Sequence, residues 1–175
     1  MSNDPLELKQ YIRTVKNFPI DGITFRDITS LIETPKAFVK TCDSLTHVTK
    51  DFGADIVVSI ESRGFIFAAP LAIKLGCQFV LARKPGKLPS KTISEEYELE
   101  YGKDAIEIHQ DAIGPNDKVL IVDDLLATGG TAKATGSLVE KLGGKIVSYA
   151  FLIVLSGLNG KKLLSQKPIY QIIEY

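Results

Sequence analysis

Residues 119 to 131 read Val-Leu-Ile-Val-Asp-Asp-Leu-Leu-Ala-Thr-Gly-Gly-Thr. An apolar run ends in two adjacent carboxylates, and a turn rich in hydroxyl groups and glycine follows. Val119 to Val122 suit a parallel strand buried on both faces, with Asp123 and Asp124 at its carboxyl end, where open α/β sheets bind ligands. Thr128, Gly129, Gly130 and Thr131 lack bulk, so their backbone N–H groups are free to close around a phosphate at the positive end of the next helix. The carboxylates cannot serve that phosphate, because like charges repel. They suit the hydroxyls of a sugar, or a divalent cation held through water. The ligand this run describes is therefore phosphorylated and hydroxylated.

Other segments carry donors and acids. Glu61-Ser62-Arg63-Gly64-Phe65 follows a second apolar run, with Gly64 permitting tight backbone geometry and Ser62 and Arg63 offering donors to a second phosphate group. Arg83-Lys84-Pro85-Gly86-Lys87-Leu88-Pro89 reads, from charge alone, as a solvated basic turn. Glu95, Glu96, Glu98 and Glu100 are, by themselves, equal candidates for a proton acceptor. His47 and His109 have no partner pattern that suggests catalysis or zinc. Cys42 and Cys77 lack metal-ligand spacing and read as buried thiols without a disulfide.

The elements that must position these groups follow from periodicity. Asp4, Pro5 and Glu7 start a helix over about residues 5 to 15, with Leu8, Tyr11, Ile12 and Val15 at helical spacing. Thr34-Pro35 starts a second, with Phe38, Cys42, Leu45 and Val48 along one face until Gly53. Between them, residues 19 to 27 form a turn-rich connector. Asp55 to Ile60, Phe65 to Leu75 and Gln78 to Ala82 make a strand, helix and strand. Residues 83 to 103 read as a long mobile loop, and a loop of that length inside a compact domain is usually functional. Ala105 to His109 returns as a strand. A helix over Thr131 to Leu142, a strand over Lys145 to Leu155 and an edge strand within 168 to 175 complete the chain. Alternating strands and helices of this composition imply an α/β fold: a doubly wound, mostly parallel sheet flanked by helices, the N-terminal segment sitting over the strand ends as a small hood.

Size and charge narrow the classes. At 175 residues, 45% of them hydrophobic, the chain fits one domain spanning 1 to 175, with the hood over about 1 to 35 and the loop over about 83 to 103. Lys plus Arg and Asp plus Glu both number 21, so no long-range field favours nucleic acid or an anionic membrane, and phosphate selectivity must be local. The N-terminus has no signal-peptide pattern and no run of 18 or more apolar residues occurs, so a soluble cytoplasmic protein is expected.

The complete 119 to 131 run closely resembles the phosphoribosyl-pyrophosphate signature of type I phosphoribosyltransferases, in the spelling of the adenine-using members, and the resemblance extends over nearly the whole chain. It implies transfer of a phosphoribosyl group from 5-phosphoribosyl 1-diphosphate to adenine, giving AMP and diphosphate, with Mg²⁺ as cofactor. It implies that Ala127, Thr128, Gly129, Gly130 and Thr131 hold the 5-phosphate, and that Asp123 and Asp124 hold the ribose hydroxyls and possess a water-mediated route to the metal. Ser62, Arg63, Arg83 and Lys87 match positions that meet the diphosphate, and the turn at residues 61 to 64 commonly contains a non-proline cis peptide. Glu98-Leu99-Glu100-Tyr101-Gly102 resembles the family's Leu-Glu-Tyr-Gly segment, which makes Glu100 the carboxylate carried over the base and Tyr101 a lid. Thr24, Phe25, Arg26 and Leu155 match positions around adenine, by main-chain pairing and ring stacking. Members of the family are typically homodimers. Two other readings remain open: the same transfer to hypoxanthine, guanine or xanthine, and a non-catalytic purine sensor that binds DNA. The neutral charge and the lack of an added helix-turn-helix segment weigh against the second.

Overall fold

A computed structural model describes residues 5–99 and 102–175. Its centre is a five-stranded sheet: β3 (Ile56–Ile60), β4 (Gln78–Ala82), β7 (Lys118–Leu126), β8 (Lys145–Val154) and β9 (Ile169–Glu174), in the order β4-β3-β7-β8-β9. Every neighbouring pair is parallel. Parallel strands must be covered on both faces, and the side chains divide accordingly. Ile56, Val58, Ile60, Val119, Ile121 and Phe151 point into one core, while Val57, Leu120, Val122, Ala150 and Leu152 point into the other.

The second core is closed by α3 (Pro35–Thr49) and α4 (Gly64–Leu75), with Leu8, Ile12, Ile28 and Leu31 of the N-terminal segment. The first is closed by α5 (Gly130–Lys141) and by an antiparallel ribbon of β5 (Thr92–Leu99) and β6 (Gly102–His109), which buries Tyr97, Ile106 and Ile108. The ribbon does here what a second helix would do. The long loop expected over residues 83 to 103 is therefore replaced by strand from Thr92 onward. Alternation was masked because the outward residues of β5 include Glu96 and Glu98, and among its described side chains only Tyr97 is buried.

The N-terminal segment also departs from expectation. The helix expected to residue 15 is only α1 (Pro5–Lys9), and Arg13–Lys16 turns instead into β1, which pairs with β2 (Thr24–Asp27) in a two-stranded hairpin. Val15 lies opposite Phe25, so the helical spacing of Leu8, Ile12 and Val15 was a coincidence of a short helix with a strand. A five-residue helix, α2 (Thr29–Glu33), follows, with Asp27 Oδ1 accepting from Thr29 N at 2.9 Å. Hydrogen bonding from the Thr29 side chain, and from its backbone N–H, holds the Asp27 carboxyl below its ordinary range.

The remaining expectations correspond closely. α3 ends through a 3₁₀ turn at Gly53, α4 ends at Gly76 in the left-handed conformation, and β9 forms the sheet edge beside β8. β7 is longer than the four-residue apolar run, so Asp123 and Asp124 lie within the strand's last turns of pleat rather than beyond it. After β8 the chain forms a 3₁₀ turn and α6 (Gly160–Leu163). Cys42 is buried; Cys77 is only half-buried, its Sγ donating to the Ala54 carbonyl at 3.0 Å, and both are free thiols. No helix of the described residues is long and apolar enough to cross a membrane.

The turn between α5 and β8 tests how tightly the first core is filled. A Cβ placed on Gly144 would lie 2.8 Å from Ile113 Cγ2, 2.9 Å from Val139 Cγ1 and 3.2 Å from Val119 Cγ2. Gly144→Ala is expected to lower unfolding free energy by about 1–3 kcal/mol through overpacking. Urea denaturation should show an earlier midpoint at unchanged slope, and an unaltered midpoint would contradict this packing.

Candidate active site

The connection after β3 runs through α4 to β4 on one side, and the connection after β7 runs through α5 to β8 on the other. The chain thus leaves these two adjacent strands in opposite directions, and the crevice between their carboxyl ends is where such sheets bind ligands. A cavity of about 490 Å³ opens there. Ile60, Glu61, Ser62 and Arg63 line it from β3, Asp123, Asp124 and Leu125 from β7, and Thr131 from α5. Phe25 closes it from the hood hairpin, while Lys84, Tyr97 and Ile106 close it from the β4 exit and the ribbon. A smaller cavity of about 90 Å³ adjoins it, lined by Leu126, Ala127, Thr128, Gly129 and Gly130 and sharing Asp123, Leu125 and Thr131. The two are one cleft with a narrow end.

The narrow end is an amide cradle. Gly129 precedes α5 with φ of 88°, a left-handed conformation open to glycine and strained for other residues. The first N–H groups of a helix have no intrahelical acceptor, and here they face a pocket without a capping side chain. Gly160, at the start of α6, supports this loop from behind. A Cβ there would fall 2.2 Å from the Ala127 carbonyl oxygen, so only glycine lets α6 pack against the cradle. Nothing in the spacing of the sequence points to Gly160.

The two carboxylates are differently placed. Asp123 Oδ1 accepts from the Asp124 backbone N–H at 2.8 Å, and Asp124 Oδ2 stands 2.9 Å from Arg63 Nε. Burial pushes the Asp123 carboxyl well above its ordinary range, and the neighbouring Asp124 charge pushes it further. Burial also raises Asp124, with Arg63 opposing the rise. Asp124 Oδ2 is buried and finds no hydrogen bond of good geometry in the protein, an acceptor left over for a ligand. Gly64 is what permits Asp123 to sit so close to α4: a Cβ would meet Asp123 Oδ1 at 2.7 Å and Ser59 Oγ at 3.0 Å. The preceding Glu61–Ser62 peptide is cis, as the resemblance implied for this turn.

Arg63 connects the acid pair to the hood, since its guanidinium carbon lies 5.1 Å from the centre of the Phe25 ring. Phe18 packs edge-on against the same ring at 5.1 Å. Among the described residues the two-stranded hairpin pairs with no further strand, so the outer edge of β2 is open to main-chain pairing.

Of the residues singled out from sequence, Phe25, Ser62, Arg63, Asp123, Asp124 and Thr131 meet in the larger cavity, and Ala127 to Thr131 form the smaller. Others stand aside. Arg83 does not line the cavity; its Nε is held by Glu61 Oε2 at 2.9 Å and its Nη1 donates to the Lys87 carbonyl at 3.2 Å. Lys87 is exposed on that turn. Arg26 lies 3.8 Å from the Tyr175 ring centre and donates to Thr14 Oγ1 at 2.6 Å, tying the hairpin to the end of the chain. Thr24 is exposed, and Leu155 packs with the second core, its N–H donating to the Leu126 carbonyl at 2.9 Å. Glu100 and Tyr101 lie outside the described residues. The cavity adds Glu61, Lys84, Tyr97 and Leu125, none of which the sequence reading had placed there. Lys84 was the middle of a basic turn, and only the bridge of Arg83 with Glu107 on β6 reveals which of its cations turns inward. His47 is exposed on α3, and His109 Nε2 is buried without a partner, away from the cleft lining.

Comparison with known proteins agrees with this geometry. Residues 33–174 match the phosphoribosyl transferase domain model. The adenine phosphoribosyltransferase of Gloeobacter violaceus is 59% identical over 163 residues, which cover 93% of this chain and 95% of that protein. The crystal structure of the Thermoanaerobacter pseudethanolicus adenine phosphoribosyltransferase superposes with a TM-score of 0.96 at 47% identity, covering 98% of this chain and all of that one (100%). The Saccharomyces cerevisiae adenine phosphoribosyltransferase, solved with an imino-altritol bisphosphate and adenine, superposes with a TM-score of 0.90 at 40% identity, covering 96% and 97% of the two chains. By its sequence, its sheet and the cleft at its centre, the chain belongs to the adenine phosphoribosyltransferase family of phosphoribosyl transferases.

Proposed function

We propose that this protein converts adenine and 5-phosphoribosyl 1-diphosphate into AMP and diphosphate, a step of purine salvage. The observation that carries the reading is one cleft with three chemistries in order: an amide cradle at Ala127–Thr131, an acid pair at half-buried Asp123 and buried Asp124, and cations at Arg63 and Lys84. A sugar carrying a phosphate at one end and a diphosphate at the other spans that order. The 5-phosphate sits on the α5 N-terminus, the ribose hydroxyls donate to the carboxylates, and the diphosphate meets Ser62 and Arg63. Arg83 and Lys87 belong to the same proposal, joining on exchange of their present partners, Glu61 and solvent.

The reaction is displacement at the anomeric carbon. The bond from C1 to the diphosphate oxygen breaks with its electron pair leaving on diphosphate, and the adenine N9 pair forms the new bond. The ring carbon becomes electron-poor in passage, and the nearby carboxylates stabilise it. N9 must also lose its proton, and Glu100 is the acceptor in this proposal, with Tyr101 covering the site. Phe25 stacks on the base, the outer edge of β2 around Thr24 and Arg26 pairs its polar rim, and Leu155 bounds its far side. Hydrogen-bonding sites that match adenine leave buried groups unpaired against hypoxanthine, which is the basis for discrimination.

Mg²⁺ fits as a cation carried by the substrate. Among the described residues no group of three or more His, Cys, Asp or Glu side chains forms a cage, whereas Asp124 Oδ2, ion-paired with Arg63, has no hydrogen bond of good geometry and keeps capacity to accept beside the cleft. That donor set suits a hydrated ion held by phosphate oxygens and reached by Asp123 and Asp124 through water. When bound, it neutralises charge on the diphosphate. We place the enzyme in the cytoplasm as a homodimer, the two free thiols being suited to a reducing compartment.

Turnover assays with adenine, hypoxanthine, guanine and xanthine, each with the same sugar donor, test the reading. AMP formation is expected with adenine, and preference for another purine would overturn the assignment of the base. Replacing the pair by Asp123→Asn with Asp124→Asn is expected to cut kcat/KM for the sugar donor by about 10²-fold or more, the scale of losing oriented electrostatic contacts. Retained turnover would remove the acid pair from the mechanism.

The acid pair also carries a stability signature. The folded-state pKa of Asp123 is raised, so its protonation favours folding: that contribution is complete below the unfolded pKa and is lost as pH rises through the folded one. Asn is neutral at every pH and still offers an acceptor to the Asp124 N–H. Asp123→Asn should therefore melt higher than wild type at about pH 7.5, with the gap closing toward about pH 4. A melting temperature lowered at neutral pH would contradict the burial of this charge.

A further inference from the structure

Lys84, Tyr97 and Asp104 come together from three parts of the fold. Lys84 follows β4, Tyr97 is on β5, and Asp104 lies directly opposite Tyr97 on β6. Lys84 Nζ donates to Tyr97 Oη at 3.0 Å and pairs with Asp104 Oδ2, and Tyr97 Oη is 3.2 Å from the same carboxylate oxygen, to which it donates. The three polar groups close a triangle. An ammonium has three N–H donors, so two are engaged here and one is left. Lys84 and Tyr97 both line the larger cavity beside Ser62 and Arg63.

The other end of Tyr97 matters as much. Its ring is buried, with 9% of the residue exposed, and it lies against the start of α5: a Cβ on Gly130 would sit 3.4 Å from Tyr97 Cδ2. Gly130 is part of the amide cradle. One side chain thus touches the loop proposed for the 5-phosphate and, through its hydroxyl, holds the cation nearest the other end of the sugar donor. A half-exposed lysine–aspartate pair on a free surface would contribute little and fix nothing. Here the lysine's flexible four-carbon stem is held by a rigid phenol seated in the core.

We propose that Tyr97, with Asp104, is a positioning residue for Lys84: it presents the ammonium to the diphosphate group of the sugar donor and sets its distance from the 5-phosphate cradle at Gly130. This rests on the phosphoribosyl-transfer reading above. Tyr97→Phe removes the hydroxyl and keeps the ring on Gly130.

The test is steady-state kinetics of wild type, Tyr97→Phe, Lys84→Ala and the double variant, with thermal melts of each. Tyr97→Phe should raise KM for the sugar donor by about tenfold, as befits a lost contact to a charged group, with KM for adenine and kcat changed by less than about twofold. Inhibition by inorganic diphosphate should weaken in parallel. The double variant should be no worse than Lys84→Ala alone, because the hydroxyl acts through the lysine. An unchanged KM for the sugar donor in Tyr97→Phe, or losses that add in full, would overturn the proposal. Should Tyr97→Phe melt far below wild type, Asp104→Ala reads the same lysine from the opposite strand, and an unchanged KM there overturns it equally. Wild-type protein that makes no AMP would instead sink the reaction itself, a different outcome from active wild type with indifferent variants.

Discussion

Two adjacent carboxylates taken out of water at the end of a central strand are the constraint around which the cleft is built. Desolvation penalises each charge, and each charge penalises the other, which is why Asp123 is pushed well above its ordinary range. The structure offsets this only partly. Arg63 stands against Asp124, a backbone N–H serves Asp123, and one buried oxygen of Asp124 keeps an unfilled capacity to accept. A fold optimised for stability alone would place apolar residues at both positions, as β7 does at Val119 to Val122. That the acids occur where the strand meets the crevice, and nowhere else in the sheet's buried interior, ties the unfavourable burial to ligand chemistry.

Close approach of backbones follows from the same demand. The cleft must be narrow enough for donors on α5, the turn after β3 and the β4 exit to reach one small molecule. Gly64 brings α4 against Asp123, Gly160 brings α6 against Ala127, and Gly130 receives the ring of Tyr97. At the first two positions a methyl group would fall 2.7 Å and 2.2 Å from an oxygen atom. These glycines act as spacers of zero width rather than as sources of flexibility. Substitution at Gly64 bears on the acid pair and at Gly160 on the cradle, although neither glycine has a side chain to contribute.

Legibility in the sequence tracked how local the determining physics was. β3, β4, β7 and β8 were readable because strands buried on both faces need continuous apolar runs, and the cradle was readable because small residues at a strand-to-helix turn have few other uses. The β1–β2 hairpin was not, since Arg13-Thr14-Val15-Lys16 is exposed and its pairing with Thr24–Asp27 is set by tertiary context. β6 was readable over Ala105 to His109, but β5 was not, for a related reason: its outer face is acidic, and its inner face takes apolar partners from α5, over thirty residues away in sequence. Among the basic residues of the turn after β4, charge alone ranked Arg83, Lys84 and Lys87 together. The pairing of Arg83 with Glu61, and of its backbone with Glu107, selects Lys84 as the one that faces the cavity.

The pairing of cations with acids in and around the cleft bears on how an electrically neutral chain holds a highly charged donor. Arg63 is met by Asp124, Arg83 by Glu61 and Lys84 by Asp104. No side chain has to wait in a low-dielectric cavity as an uncompensated positive charge, which desolvation would disfavour strongly. On the proposed reading, a diphosphate entering this cleft takes over contacts that carboxylates already make, so part of its binding is an exchange of one anion for another on preorganised donors. Such exchange gains less affinity than binding to bare cations, but it keeps the donors aimed and fixes where a phosphate belongs. Glu61, released from Arg83 in this way, lines the cavity and repels the diphosphate. That repulsion opposes the substrate and the departing diphosphate alike, and it falls hardest on whichever leaves more negative charge on its oxygens beside it. A carboxylate at Glu61 therefore favours release of diphosphate after the bond to C1 has broken, while Lys84, still held by Tyr97 and Asp104, keeps its place for the next donor.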